Sequence, residues 1–217
     1  MLCRASSPHF WTAANMFNKF PHLILWNSRS LYSKLNEFKK YIFALEPLIV
    51  CITETHLKDK YSPKFQNYNI FRKDIEDGYG GLLILCHKSI TAKSNQINSF
   101  QNGEMEHLSI QYCFHNEWSV LILLYNPCKS VSEQELNHYL GKVDATGIVC
   151  GDFNAHHESW ELSGPKPNPS GKSLFNALTR SVILRLLNPS DFPTIIDPHS
   201  GKTWNIDLIS DHDNPPI

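Results

Sequence analysis

The chain has 217 residues, of which 41% are hydrophobic and 19% are charged, with a formal net charge of −1. This balance excludes a disordered chain, and the length fits one domain with a sizeable core. The near-neutral charge gives no electrostatic argument for a nucleic-acid partner. No apolar run approaches the roughly 20 residues of a membrane helix, so we expect no membrane partner.

The N-terminal segment differs from the rest of the chain in its mixed composition. Residues 1–20 lack the long apolar centre of a secretion signal, so we interpret them as a loose extension before one domain at 21–217. The six cysteines show no C-x-x-C spacing, and three of them (Cys51, Cys86 and Cys150) lie in apolar runs. This pattern argues against a zinc site and favours free thiols in a reducing compartment, the nucleus or the cytoplasm.

Apolar patterns predict many strands with a few helices between them. Strands are expected at 22–26, 48–53, 68–72, 80–86, 108–114, 118–125 and 148–152, and short ones at 183–187, 193–196 and 203–209. One helix should follow Ser30 as its cap and stop before Pro47, a second should follow a capping box at Ser132, and a third should begin near Lys172. This irregular α/β (α+β) order suits two stacked sheets with helices outside.

Several predicted strands end on a polar side chain. These residues are Asn27, Glu54, Tyr125, Asp152 with Asn154, and Asp207. If the strand ends share one edge, their oxygens form a hard-ligand site that suits Mg²⁺, or Mn²⁺, rather than zinc. Each residue also has a structural interpretation: Asn27 as a helix cap, Glu54 as a solvated carboxylate and Tyr125 as core.

A second, weaker motif lies further along the chain. Gly171, Lys172 and Ser173 match the end of a nucleotide phosphate-binding loop, but Lys166 stands where that loop requires a glycine. We therefore expect no small-molecule cofactor. The sequence leaves the oligomeric state open.

Ten short motifs occur in the order found in one known family. They are Trp26–Leu31, Ile52–Leu57, Arg72–Asp74 with Gly80–Gly81, Tyr125–Pro127, Gly151–His156, Trp160, Asn168–Gly171, Phe192–Thr194, Ile206–Leu208 and Ser210–His212. In this order the chain resembles the endonuclease/exonuclease/phosphatase superfamily, and most of all the endonuclease domain of non-LTR (LINE-type) retrotransposons. The resemblance runs from about Leu23 to the end of the chain.

The resemblance implies a fold and an activity. The implied fold is a four-layer αββα sandwich of two mostly antiparallel sheets flanked by helices, here shortened near the C-terminus. The implied activity is Mg²⁺-dependent hydrolysis of a DNA phosphodiester that leaves a 3′-hydroxyl. In the retrotransposon relatives that end primes reverse transcription.

The resemblance also implies a role for each residue of the metal side and for the attacking water. Glu54 would hold the Mg²⁺ with Asn27 close to it, and Asp211 would add charge at the metal edge. Asp152 would orient or deprotonate the attacking water. Asn154 would position that water and the scissile phosphate.

Three further residues would contact or orient the phosphate. Tyr125 would donate a hydrogen bond to a phosphate oxygen. His212 would bind the phosphate, with Asp207 fixing the orientation of its ring, because a neighbouring carboxylate sets the tautomer of an imidazole.

Basic and imidazole side chains around this site are candidates for contacts to the DNA backbone. These candidates are Arg29, Arg72 and Lys73, for each of which plain surface is an equal alternative. His156 is interpreted as a DNA-phosphate contact at the rim of the site rather than as a metal ligand with His157 and Glu158. The neighbouring His157 is expected to be solvated.

One departure from the family pattern affects the second half of the site. In the family a long hairpin separates the strand that carries Asp207 from the motif that carries His212, but here these residues are five positions apart. On one continuous strand they would point to opposite faces and could not pair. Either the chain reverses tightly near Ser210 or an inner strand pair is missing.

Three functions therefore compete. The first is a DNA endonuclease, impaired by the shortened segment. The second is a superfamily phosphatase acting on a lipid or inositol phosphate, which would share Glu54, Asp152 and Asn154. The third is an inactive retrotransposon remnant that at most binds nucleic acid.

Overall fold

A computed structural model of the protein describes residues 11–12, 22–76, 79–143, 146–161, 166–181, 184–188, 193–196 and 203–212. Within these residues the elements are, in chain order, β1 (Trp11–Thr12), β2 (Leu23–Asn27), α1 (Leu31–Leu45), β3 (Ile49–Thr53), β4 (Tyr68–Lys73), β5 (Leu82–His87), β6 (Thr91–Ser94), β7 (Glu106–Phe114), β8 (Glu117–Tyr125), α2 (Glu133–Leu140), β9 (Ile148–Asp152), α3 (Pro169–Arg180), β10 (Leu184–Leu186), β11 (Ile195–Ile196), β12 (Thr203–Trp204) and β13 (Asp207–His212). None of the helices among the described residues is long and apolar enough to cross a membrane.

The described strands form two large sheets and one small pair. The first sheet has the order β1-β2-β3-β5-β4, and the second has the order β10-β13-β9-β8-β7-β6, while β11 pairs with β12. Neighbouring strands are antiparallel except for β2 with β3 and β8 with β9, which are parallel. The two parallel pairs matter for function because their strands end at the same sheet edge.

The two large sheets pack face to face, and the helices cover their outer faces. Alternate residues of β3 show the division: Cys51 lies in the core between the sheets, while Val50 and Ile52 pack outward. The outward side of the first sheet is covered by α1, and that of the second by α2 and α3. The structure is therefore the predicted four-layer αββα sandwich, in which each strand position alternates between two cores.

The first helix follows Ser30 as predicted, but the side-chain cap predicted at Ser30 and the predicted start of the third helix are wrong. Ser30 makes no side-chain cap and has φ 79°; its backbone N–H instead donates to the Glu54 carbonyl at 2.9 Å. The third helix begins at Pro169, capped by Asn168, and not near Lys172. Proline at the first helical position needs no hydrogen-bond partner for its nitrogen, so the proline-rich segment leads into the helix.

The strand predictions hold over most of the chain, with three differences. The expected strand at 203–209 is divided into β12 and β13, and β6 was not expected. In the segment interpreted as a loose extension, Trp11 and Thr12 pair with β2, while the rest of that segment lies outside the described residues. The buried positions of Cys51, Cys86 and Cys150 follow the expectation for free thiols.

Candidate active site

Strand alternation brings the polar strand ends to one place between the sheets. In β2, Leu23 and Leu25 face the inner core, so Asn27 falls on the same face at the end of the strand. The same alternation puts Tyr125 after Leu123 in β8 and Asp152 after Cys150 in β9. Because β8 and β9 are parallel and Tyr125 is the register partner of Asp152, both strands end together.

Asn27 connects two carboxylates that are far apart in sequence. Its Nδ2 donates to Glu54 Oε1 and to Asp152 Oδ2, each at 2.7 Å. The Arg29 backbone N–H donates to Asn27 Oδ1 at 3.1 Å and fixes the amide. Asn27 therefore joins the two sheets at this edge, since Glu54 follows the first sheet and Asp152 ends a strand of the second.

Tyr125 completes this group, which we call the Asn27 cluster (Asn27, Glu54, Tyr125 and Asp152). The Tyr125 hydroxyl donates to Glu54 Oε1 at 3.1 Å. Burial and the nearby Glu54 carboxylate raise the pKa of Tyr125 far above its usual range. Tyr125 thus keeps its proton at neutral pH and remains a hydrogen-bond donor.

Asp152 is 1% exposed. Burial raises its pKa to about 7, because the ionised form loses its hydration, and the Glu54 carboxylate adds to the increase. Hydrogen bonds from the Asn27 side chain and the Asn154 backbone N–H act in the opposite direction, as does the Arg29 charge. A carboxyl with a pKa near neutrality suits a general base.

Asp207 lies beside Asp152 on the neighbouring strand. The two residues are antiparallel register partners, and Ile209, two residues on from Asp207, faces the inner core. Burial raises the pKa of Asp207 well above its usual range, and the Asp152 charge raises it further, while a hydrogen bond with Thr194 lowers it. Its Oδ1 is buried without a hydrogen-bond partner.

Asn154 is held beside the cluster by two other asparagines. Its Nδ2 donates to the Asn126 carbonyl at 2.8 Å, and its own carbonyl accepts from Asn168 Nδ2 at 2.8 Å. Asn126 is fully buried and donates to the Phe153 carbonyl at 2.8 Å. These bonds fix the loop that follows β9.

Left-handed backbone recurs at non-glycine residues around this edge. The residues and their φ angles are Arg29 (41°), Ser30 (79°), Glu54 (49°), His56 (51°) and Asn154 (44°). Such conformations are costly for residues with a Cβ and persist where the surroundings impose them, commonly at functional sites. At Glu54 the turn directs the carboxylate toward Asn27 and Tyr125.

Comparison with known proteins assigns the family. Residues 24–209 match the model of the Endonuclease/Exonuclease/phosphatase family. The chain belongs to this family. Among curated proteins, none matches its sequence significantly.

Several solved structures share the fold of this chain. The endonuclease domain of TRAS1, a telomere-specific non-LTR retrotransposon, is similar with a TM-score of 0.68 and 18% identity, covering 88% of this chain and 85% of that one. D. rerio TDP2 complexed with a single-strand DNA product is similar with a TM-score of 0.64 and 16% identity, covering 89% of this chain and 85% of that one. An AP endonuclease from Archaeoglobus fulgidus is similar with a TM-score of 0.60 and 16% identity, covering 87% of this chain and 85% of that one. At these identities the likeness shows the fold alone.

The last motif of the family pattern, Ser210–His212, lies at the end of β13 away from the Asn27 cluster. β13 is one continuous strand, in which Asp207 pairs with Asp152 but Asp211 pairs with Ile148, the first residue of β9. Of the two alternatives that the sequence left open, the tight reversal near Ser210 is therefore excluded. His212, five residues after Asp207, is about 16 Å away along the strand, so the structure brings neither His212 nor Asp211 to the cluster.

Of the basic residues predicted to contact DNA, Arg72 is better explained as structural. Its guanidinium binds both carboxylate oxygens of Asp74 and donates to the carbonyls of Tyr61 and Lys58. These bonds occupy the planar fork of donors that a phosphate would need. Arg29 remains exposed at the rim of the cluster.

The two adjacent histidines lie in opposite environments. His156 is 23% exposed in its side chain and pairs with buried Glu161. His157 is buried and stacks on Phe175 at 4.2 Å between ring centres, so the expectation of a solvated His157 is wrong.

Four residues that build the site had no role predicted from the sequence. Asn126 and Asn168 had local signals, since one follows a strand end before a proline and the other precedes Pro169 at a helix start. Glu161 had none, because nothing local predicts a buried glutamate. His56 belongs to the motif Ile52–Leu57 but had no role predicted; its Nε2 lies 3.8 Å from Glu54 Oε2.

The donor chemistry of the Asn27 cluster fits a hard divalent cation. Glu54 and Asp152 each place an oxygen 2.7 Å from the same Asn27 nitrogen, and the Oδ1 of Asp207 is buried without a partner. Within the described residues, no group of three or more His, Cys, Asp or Glu side chains is arranged to hold a metal ion. Carboxylate and amide oxygens are ligands that suit Mg²⁺, an ion that usually keeps several waters and binds substrate phosphate.

Proposed function

We propose that the chain is a divalent-metal-dependent endonuclease that hydrolyses a phosphodiester of DNA. The observation that carries this proposal is the Asn27 cluster, in which one amide donates to two carboxylates from different sheets. It brings a candidate base, a candidate metal ligand and a phenol donor to one edge of the sandwich. The likeness to DNA-processing enzymes of the same fold supports DNA as the substrate.

In the proposed reaction Asp152 accepts the proton of the attacking water. The water oxygen bonds to phosphorus as the bond to the 3′ oxygen breaks. The 3′ oxygen takes up a proton from solvent, which leaves a 5′-phosphate and a 3′-hydroxyl. Tyr125 donates to a phosphate oxygen, and Asn154 positions the phosphate. Glu54 with Asn27 would hold Mg²⁺, which neutralises phosphate charge when bound.

Nicking of supercoiled plasmid DNA by the purified chain with Mg²⁺ tests the proposal. We expect nicking that EDTA and the substitution Asp152→Ala each abolish. A native chain that folds but leaves the plasmid intact contradicts the proposal. Turnover of a soluble inositol phosphate without nicking would assign the phosphatase activity instead.

One observation favours a second candidate, a chain that binds DNA without cleaving it. Because β13 runs without interruption, His212, which the family pattern pairs with Asp207, lies at the other end of that strand. Mg²⁺-dependent binding of a DNA duplex by the native chain, with no nicking after long incubation, would identify this remnant activity.

A further inference from the structure

The loop after β9 presents alternate residues to opposite sides. Phe153 and Ala155 pack into the outer core under α2 and α3. Asn154 and His156, which alternate with them, are both half-buried and stay outside that core. Their Cα atoms are at most about 7 Å apart, a spacing on the scale of adjoining phosphates in a nucleic-acid strand.

His156 is fixed in the loop through both its ring and its backbone. Its Nδ1 lies 3.1 and 3.2 Å from the two carboxylate oxygens of Glu161. Its backbone N–H donates to Asn168 Oδ1 at 3.1 Å. Nδ1 is therefore engaged inside the protein, and Nε2 is the ring nitrogen left for an outside ligand.

Glu161 is itself held in place, since its side chain is only 2% exposed. It accepts from the backbone N–H groups of His157 at 3.2 Å and of Asn205 at 3.0 Å. A buried carboxylate is costly unless a cation and hydrogen bonds compensate it. With Nδ1 on Glu161, an imidazolium at His156 would present its Nε2–H outward, which is the donor geometry that an oxyanion requires.

We propose that His156, held by Glu161, is a second phosphate-binding subsite, which contacts the phosphodiester next to the one that Asn154 positions. The ligand is a nucleic-acid backbone phosphate, so the inference rests on the proposed function. Glu161 is a positioning residue, because it touches the ring of His156 and not the substrate.

The test replaces single phosphates of a DNA duplex by neutral methylphosphonates. Binding is measured by fluorescence anisotropy in mildly acidic buffer with Mg²⁺, using the Asp152→Asn background so that the duplex stays intact. We expect one linkage beside the scissile one whose neutralisation weakens binding about tenfold. In the added variant His156→Ala the same neutral linkage should weaken binding no more than about twofold, and the salt dependence should fall by about one phosphate contact.

The matched control is His115→Ala. His115 is exposed in the turn between β7 and β8, at the end of those strands away from Tyr125 and Glu106. This control should keep the full sensitivity to the neutral linkage. Thermal unfolding of each variant verifies that it is folded.

Glu161→Gln separates positioning from a structural role. We expect it to reduce the sensitivity to the neutral linkage as His156→Ala does, with no further reduction in the double variant. If Glu161→Gln does not fold, His156→Asn provides the second test of the subsite, since it keeps a polar side chain without the imidazole. Full sensitivity in Glu161→Gln would overturn the positioning role.

The outcomes for this inference and for the proposed function are distinct. Equal sensitivity to the neutral linkage in the native and His156→Ala backgrounds overturns the subsite, even when the native chain nicks plasmid DNA. A His156-dependent linkage establishes the subsite even in a chain that does not nick. Failure of the native chain to bind DNA overturns both.

Discussion

The Asn27 cluster and β13 illustrate two ways in which a chain can supply a site. The cluster takes residues from three separate strands and one loop, and they meet because the strands end at a common edge. β13 would have to supply both Asp207 and His212 from one strand. It delivers only Asp207, whose register partner is Asp152.

The difference teaches that sequence distance is a poor guide to distance in the site. Asn27 and Asp152 are 125 positions apart and share a hydrogen bond of 2.7 Å. Asp207 and His212 are five positions apart and are separated by the length of an extended strand. A reversal of the chain, which β13 lacks, is what would bring near neighbours in sequence to one point.

The largest effect is expected at Asp152. Replacing it by Asn removes the proposed base and should lower the nicking rate about 10²–10⁴-fold. The rate of conversion of supercoiled to nicked plasmid at saturating Mg²⁺ measures this. A smaller loss of nicking rate for Asp152→Asn than for Asp207→Asn would show that the Asn27 cluster contributes less to nicking than β13.

Glu54 should determine the affinity for metal. Glu54→Gln should raise the Mg²⁺ concentration for half-maximal nicking by about 10–100-fold, because one ligand loses its charge. A Mg²⁺ titration checks this, with Glu117→Gln, exposed at the start of β8, as control. An unchanged half-maximal concentration would remove Glu54 from the metal site.

The pH dependence of stability should report the buried state of Asp152. Its pKa is about 7 in the folded chain against a reference of 3.8, so between these values the folded state binds more protons. The free energy of unfolding should therefore fall as pH rises from about 4 to about 7. Asp152→Asn should become more stable relative to the native chain over this range. Thermal unfolding of both proteins in EDTA measures this difference in stability. A difference that shrinks as pH rises would contradict a raised pKa at Asp152.

The smallest effect is expected at His212. Because its position lies at the far end of β13, His212→Ala should change the nicking rate by no more than about twofold. Asp207→Asn, next to Asp152, should lower the rate about tenfold. Rates of plasmid nicking for the two variants test this contrast. A loss at His212 that equals the loss at Asp207 would mean that the two residues meet in the active protein.

The sequence alone determined the identity of the elements and most of the cluster. Apolar runs that end on polar residues predicted Asn27, Glu54, Tyr125 and Asp152 as one hard-oxygen group, and the structure joins them by hydrogen bonds. This worked because strand alternation and shared strand ends are local rules. The sandwich followed from the same patterns together with the family resemblance.

The tertiary structure alone decided which polar residues share surroundings. The continuity of β13 put His212 at the far end of that strand from Asp207, and the guanidinium of Arg72 proved to be engaged within the protein. Glu161 became visible only when the fold placed its carboxylate under His156 and against the Asn205 backbone. Burial and hydrogen-bond partners depend on chain segments that are distant in sequence, and no local pattern encodes them.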